Sequence, residues 1–305
     1  MDKRGGLHRG RDKVKPRVAI VGPGRVGQSV GRALCAAGYP VAAVIGRELK
    51  STQIGANFIG AELMATTHIE RCCAAEIVFL TVPDDALSPV IGTLAQVDLR
   101  PGTLLVHCSG LHTTQVFAPI QPAMRKLYTL SLHPLQTFAS PAAGSAALPG
   151  SYCSLQGDHI AIERGRNIVA ALGCSGFVID AAHKVLYHAA ACVVSNYVTT
   201  LIDAASELCA DIPSAEKIFP AAFKPLLEAA VRNSIDVGTQ QALTGPIVRG
   251  DSGTINAHLR EIAHSKPDLL PLYRILAQQT LEVALKAGRL TQDNASQMYN
   301  VLDPK

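Results

Sequence analysis

Residues 17–34 read RVAIVGPGRVGQSVGRAL. An apolar run, Val18 to Val21, leads straight into glycines at 22, 24 and 27, and a helical pattern continues to about residue 37 before Gly38. Strand, G-x-G-x-x-G turn and helix in that order form the arrangement that receives a dinucleotide pyrophosphate. Gly22 permits the tight turn, Gly24 leaves room for phosphate against the backbone, and Gly27 lets helix and strand pack closely. Pro23, Arg25 and Val26 complete the loop. The first turn of the helix then offers free N–H groups to the phosphates. Gly38 is suited to ending that helix.

The second strand bears on which dinucleotide is expected. An NAD-selective site presents Asp or Glu to the ribose diol at its end. Here VAAVIG (41–46) runs into Arg47, with Lys50, Ser51 and Thr52 just beyond. The Arg47 guanidinium can grip a 2′-phosphate bidentately and Ser51 can share it, so NADP (NADPH) is the expected cofactor. Charge-assisted contacts of this kind correspond to roughly a 10–100-fold preference. Glu48 is the competing residue; if it faces the ribose, NADH is preferred.

Outward from this stretch, short apolar strands alternate with helical segments: 76–82, 103–110, 128–133, 152–157 and 176–180. Continuous apolar runs suit parallel strands covered on both faces. After Asp180 the strand signal stops. One long helix over 181–210 is expected, then helices near 214–237, 254–264, 268–287 and 291–302. The expected fold is an α/β doubly wound Rossmann sheet followed by an all-helical C-terminal domain. The expected parts are a disordered basic arm (1–16), an NADP-binding domain (17–180) and a helical substrate and dimerisation domain (181–305).

Composition narrows the function classes. The chain has 305 residues, 48% of them apolar, and no tryptophan, so its core is aliphatic and ample. Its net charge of +4 is matched by residues 1–16 alone, where six cations oppose Asp2 and Asp12. The remaining body is neutral, which argues against nucleic acid as the main ligand. The eight cysteines include no Cys-x-x-Cys, so neither a disulfide framework nor a metal site is expected. No apolar segment follows the N-terminal charges, and His188, Asn196 and Asp203 interrupt the long apolar helix. The expectation is a soluble cytoplasmic protein without a membrane span.

That helix holds the least ordinary stretch, KVLYHAAACVVSN (184–196). At helical steps Lys184, His188, Cys192, Ser195 and Thr199 share one stripe, with Asn196 on its flank. A polar stripe in apolar surroundings marks either locally satisfied core groups or the wall of an active site. In the loop LTGPIVRGD (243–251), Arg249 sits between two turns and has the fork suited to a substrate carboxylate. An Arg249–Asp251 pair that only shapes the loop is the alternative.

GPGRVG, FLTVPDDAL (79–87), VHCSG (106–110), SLHPLQTF (131–138), the polar helix and ALTGPIVRGD (242–251) follow one another in order. Together they resemble the two-domain reductases of the 6-phosphogluconate dehydrogenase-like superfamily. More narrowly, they resemble its branch with a Rossmann-like domain and domain of unknown function 2520. Pyrroline-5-carboxylate and ketopantoate reductases and 3-hydroxyacid dehydrogenases belong to the wider group. The resemblance implies hydride transfer between NADPH and the C=O or C=N of a small oxo or imino acid, with ketopantoate the first substrate to try. It implies that Val82, Pro83 and Asp84 lie along the cofactor, and that Ser109, Gly110 and His133 border nicotinamide and substrate. It also implies a homodimer paired through the helical domain. Hydroxyacid dehydrogenases carry Lys-x-x-x-Asn on this helix, the Lys as proton donor and the Asn orienting substrate. Here the pattern is Lys184-x-x-x-His188, with Asn196 further along. Either Lys184 remains the general acid, or His188, nearer neutrality in its own proton affinity, has taken over. A lysine this close to a helix start can also simply reach solvent. Two other readings stand beside the reductase: a deazaflavin-linked NADP reductase, and an NADP-binding sensor or scaffold without turnover.

Overall fold

The computed structural model describes residues 14–303, so most of the expected basic arm (residues 1–13) lies outside the described residues. The chain forms two compact units that divide between Ser195 and Asn196.

The first unit is built on one eight-stranded sheet. In chain order its elements are β1 (Val18–Val21), α1 (Arg25–Ala36), β2 (Val41–Ile45), α2 (Leu49–Ile59), β3 (Ala65–Thr66), β4 (Ile77–Leu80) and α3 (Asp84–Leu94). Then follow β5 (Leu104–His107), β6 (Tyr128–Leu135), α4 (Pro141–Ala147), β7 (Tyr152–Gly157), α5 (His159–Ala171), β8 (Ser175–Val178) and α6 (Lys184–Val194). The strand order is β3-β2-β1-β4-β5-β6-β7-β8. Both faces are covered: Ile20, Phe79, Val106 and Leu132 point into one core, and Val21, Leu80, Leu105 and Phe117 into the other. The chain turns from β2 and β3 on one side of β1 to β4 on the other, which opens a crevice at the strands' carboxyl ends.

Two details differ from expectation. The two-residue β3 carries no apolar run and gave no signal. β7 pairs antiparallel with β6, and β8 runs parallel to β7, so the last two strands are reversed. Their connection explains it. Between β6 and β7 the chain makes only the seven-residue α4, which docks on α1 where Ser29 Oγ donates to the Pro141 carbonyl (3.1 Å). The connection stays at the end of β6 where it began, Tyr152 pairing with Leu135, and does not cross back over the sheet as a parallel return must.

The expected single helix over 181–210 is broken. A 3-10 turn (Ala181–His183) leads into α6, Ser195 leaves helical geometry (φ −120°, ψ −74°), and α7 (Asn196–Leu208) follows. Consequently the first unit extends past residue 180, because Lys184 and Tyr187 are hydrogen-bonded to residues of the sheet. By length and composition Ala181–Leu208 suffices to cross a membrane, contrary to the sequence expectation. The burial of Lys184 against the sheet argues against such a span.

The second unit continues with α8 (Ala215–Asp236), α9 (Thr239–Ala242), α10 (Ser252–Ser265), α11 (Leu270–Lys286) and α12 (Gln292–Leu302). Its core joins Ile255 and Leu259 to Leu281, Met298 and Leu302. Asp251 caps α10 by accepting the Thr254 N–H (3.0 Å), and Thr291 caps α12 by accepting that of Asn294 (3.2 Å).

Candidate active site

At the crevice lies a cavity of about 880 Å³ lined by Gly22, Pro23, Gly24, Arg47, Glu48 and Ser51 among others. Each motif glycine has its own reason. Gly22 holds φ +88°, and a Cβ there would sit 2.9 Å from the Val82 backbone nitrogen. A Cβ on Gly27 would sit 2.4 Å from both the Gly22 carbonyl and Thr81 Oγ1. Thr81 Oγ1 in turn donates to the Gly22 carbonyl (2.7 Å), clamping the turn onto β4. At Gly24 nothing lies within 4 Å of an added Cβ, and no side chain caps α1. An open backbone face above an uncapped helix start fits a pyrophosphate. Val26 and Gly27 belong to that first turn, while the Arg25 guanidinium reaches the Ala139 carbonyl (3.4 Å). Arg47 and Glu48 both line the cavity. The Glu48 carbonyl begins α2, accepting from Thr52 Oγ1 (2.7 Å) and Ser51 Oγ (3.1 Å).

After β4 the chain divides its residues between two tasks. Val82, Pro83 and Asp85 line the cavity; Asp84, expected there, does not. Asp84 opens α3, and its carboxylate acts instead on Lys184 and His133. The turn from strand to helix rotates successive side chains apart, which sends 84 and 85 in different directions.

Lys184 does not reach solvent. Its side chain is fully buried, and Nζ donates to Ser131 Oγ (2.7 Å) and to the Ser109 carbonyl (3.3 Å). Of its three donors one has no protein partner among the described residues. Burial pushes the amine down from 10.5 to about 8, with Asp84 and Cys108 opposing the fall. His133 Nδ1 pairs with the Tyr187 hydroxyl (3.0 Å), and its ring stands edge-on to Tyr187 and His188, 5.7 Å from each. Burial, then Lys184 and His188, bring His133 down to about 4. The His188 Nδ1 is buried without a partner, and its Nε2 lies 3.9 Å from Cys192 Sγ. Gly110 makes this packing possible, since a Cβ would lie 2.3 Å from His188 Nδ1 and 3.0 Å from His133 Nε2. The Ser109 hydroxyl, expected to border substrate, closes a turn by accepting the N–H groups of Leu111 (3.1 Å) and His112 (3.0 Å).

The first unit thus brings together Lys184, His188, His133, Ser109 and Gly110. Asn196 and Arg249 belong to the second unit, where both are exposed. Arg249 makes no ion pair within 4 Å among the described residues. The Asp251 carboxyl is held below its usual range mainly by the Thr254 N–H and hydroxyl, with Arg249 adding to it. Four residues escaped the sequence reading: Asp85, His107, Ser131 and Tyr187. Ser131 was accessible in principle, lying two residues before His133 and so on the same strand face. Tyr187 is one helical turn from Lys184.

Residues 2–134 match the Rossmann-like domain family, and residues 151–280 match domain of unknown function 2520. The chain thus joins a Rossmann-like domain to a domain of unknown function 2520. No curated protein matches it by sequence. Among solved structures it is similar to a candidate NADP oxidoreductase from Bacteroides fragilis (TM-score 0.73, 21% identity, covering 88% of this chain and 98% of that one). It is also similar to an imine reductase from Myxococcus stipitatus in complex with NADP+ (TM-score 0.58, 15% identity, 90% and 94% covered). A third is a pyrroline-5-carboxylate reductase from Coxiella burnetii (TM-score 0.55, 16% identity, 92% and 99% covered). At these identities the likeness is one of fold.

Proposed function

We propose that this protein is an NADPH-dependent oxidoreductase that reduces the C=O or C=N of a small oxo or imino acid, with Lys184 as the proton donor. The observation that carries the reading is the buried Lys184 amine, held by Ser131 Oγ on β6 and the Ser109 carbonyl after β5, with a third N–H unpartnered among the described residues. Desolvating an amine with no carboxylate in contact is costly, which favours a working role over a merely structural one. With the amine brought to about 8, it is mostly protonated at neutral pH yet gives its proton up readily. Asp84 favours the charged form and keeps the donor loaded. His133, brought to about 4, is neutral and can hydrogen-bond substrate without adding charge. His188 shapes the pocket wall beside Gly110.

The cofactor, when bound, supplies the hydride. Gly22, Gly24 and the first turn of α1 would hold its pyrophosphate, and Arg47 with Ser51 its 2′-phosphate. Arg249 is the candidate for the substrate carboxylate and Asn196 for its orientation. The protein would work in the cytoplasm as a homodimer. Leu186, Val194 and Ile235 support that pairing, since they are apolar and 73–76% exposed along α6 and α8. The test is NADPH oxidation against a panel of oxo and imino acids, ketopantoate first. Turnover that vanishes in Lys184→Met while NADPH binding persists is the expected result. Bound NADPH that no carbonyl or imine oxidises would make the protein a sensor instead.

A further inference from the structure

Tyr187 has no task in the reaction as described, yet the fold holds its hydroxyl in place. It lies on α6, one turn from Lys184. Its ring stands edge-on to His133 and to Phe177 of β8, at 5.7 and 5.8 Å between centroids. So held, the phenol oxygen meets His133 Nδ1 at 3.0 Å. The direction of that bond decides what His133 can do. A neutral imidazole carries one ring proton, so the nitrogen that accepts leaves the other to donate. His133 is neutral because burial, then Lys184 and His188, bring it to about 4 against the pull of Asp84. An imidazole nitrogen with a free lone pair is a far better acceptor than a phenol oxygen. Burial raises Tyr187 above its ordinary range, so the phenol keeps its proton. Ser154, the register partner of His133 on β7, opposes that rise, as a donor toward the phenol oxygen does. Its own Oγ has no partner within hydrogen-bond distance. Among the described residues the Tyr187 proton therefore has one acceptor in range, His133 Nδ1. The far nitrogen, Nε2, lies 3.0 Å from the place a Cβ on Gly110 would take, and Lys184 Nζ meets the carbonyl of Ser109. Imidazole and amine thus border consecutive residues of one segment.

We propose that Tyr187 is a positioning residue that sets the tautomer of His133. The phenol donates to Nδ1, the ring proton stays on Nε2, and His133 offers that N–H to an oxygen acceptor of the substrate, carbonyl or carboxylate. In this form Nε2 donates and cannot accept, so His133 holds the substrate without competing for the proton that Lys184 delivers. A phenol suits the task better than a carboxylate would. A carboxylate at Nδ1 would fix the same tautomer but draw the ring toward the imidazolium, whereas an uncharged hydroxyl leaves it neutral. The proposal rests on the reading of His133 as a neutral substrate contact, but its test needs no substrate.

The experiment is a long-range 1H–15N NMR correlation of the imidazole rings in full-length protein labelled with 15N-histidine, at neutral pH. His133 is assigned among the ten histidines by its absence in His133→Gln. The expected wild-type pattern is a protonated Nε2 and an unprotonated Nδ1, the latter displaced upfield by the hydrogen bond it accepts. In Tyr187→Phe, which keeps the ring and loses the hydroxyl, Nδ1 moves back downfield. The Nδ1–H form there rises about tenfold relative to Nε2–H, the strength of one hydrogen bond. Ser154→Ala is expected to leave both signals in place. Should Tyr187→Phe not fold, 3-fluorotyrosine incorporated into the wild-type chain takes its place: the more acidic phenol donates more strongly and moves Nδ1 further upfield. A protonated Nδ1 in the wild type overturns the proposal. So does an Nδ1 that neither loss of the hydroxyl nor fluorination moves. A displacement that survives Tyr187→Phe and is lost in Ser154→Ala assigns the bond to the serine and overturns it as well. Absence of turnover with every oxo and imino acid strikes the function reading alone, since the tautomer is read in the free protein.

Discussion

The glycine loop and the Lys184 cluster lie in the same unit and are built on opposite principles. The loop works by what is missing: side chains at 22 and 27 would strike the backbone, and the one at 24 is absent from an open face. The cluster works by what is buried, an amine and two imidazoles held out of water and shifted in proton affinity by burial and by one another. Steric absence can be written in six consecutive residues. A buried electrostatic site has to be gathered from α3, β5, β6 and α6. The comparison also shows where stability is spent, since the loop is satisfied by the fold whereas the amine is placed against its preference for water.

The sharpest way to break the comparison is Lys184→Met. If the cluster is chemical, turnover falls by about 10²–10⁴-fold, the usual worth of a general acid, while fluorescence titration shows unchanged NADPH binding. Loss of binding with it would mean that the lysine belongs to the loop's task. The second test needs no substrate. The folded amine titrates near 8 and the unfolded one near 10.5, so between these values the unfolded state binds more protons. Stability should therefore rise with pH from about 8 to about 10.5, by roughly 3 kcal/mol from this group. Denaturant melts across that window should show the rise in the wild type and lose it in Lys184→Met.

Smaller effects sharpen the loop. Arg47→Asp should lower the preference for NADPH over NADH by roughly 10–100-fold; a preference that survives would transfer the ribose contact to Glu48. Two alanines then separate fold from binding within one motif. Gly27→Ala, forced against the Gly22 carbonyl, should cost about 1–3 kcal/mol of stability. Gly24→Ala meets nothing and should leave stability within about 0.5 kcal/mol while weakening nucleotide binding. Equal losses at both positions would erase the distinction.

By itself the sequence determined what depends on neighbours along the chain. The strand–turn–helix at 17–34, the seven longer strands and the helical second half all follow from local apolar period and capping residues. So does the polar stripe of Lys184, His188 and Cys192. The tertiary structure decided what depends on partners far away in sequence. It alone reversed β7 and β8, because the sense of a strand follows from the route of its connection rather than from its composition. It left Asp84 out of the cavity lining, where its charge acts on Lys184, and gave Asp85 the place expected for it. It also revealed Ser131, since whether a serine is an ordinary core residue depends on which side chain is packed onto it, here Lys184. The burial that moves Lys184 toward neutrality is a property of the packed sheet, and no spacing of residues along one helix encodes it.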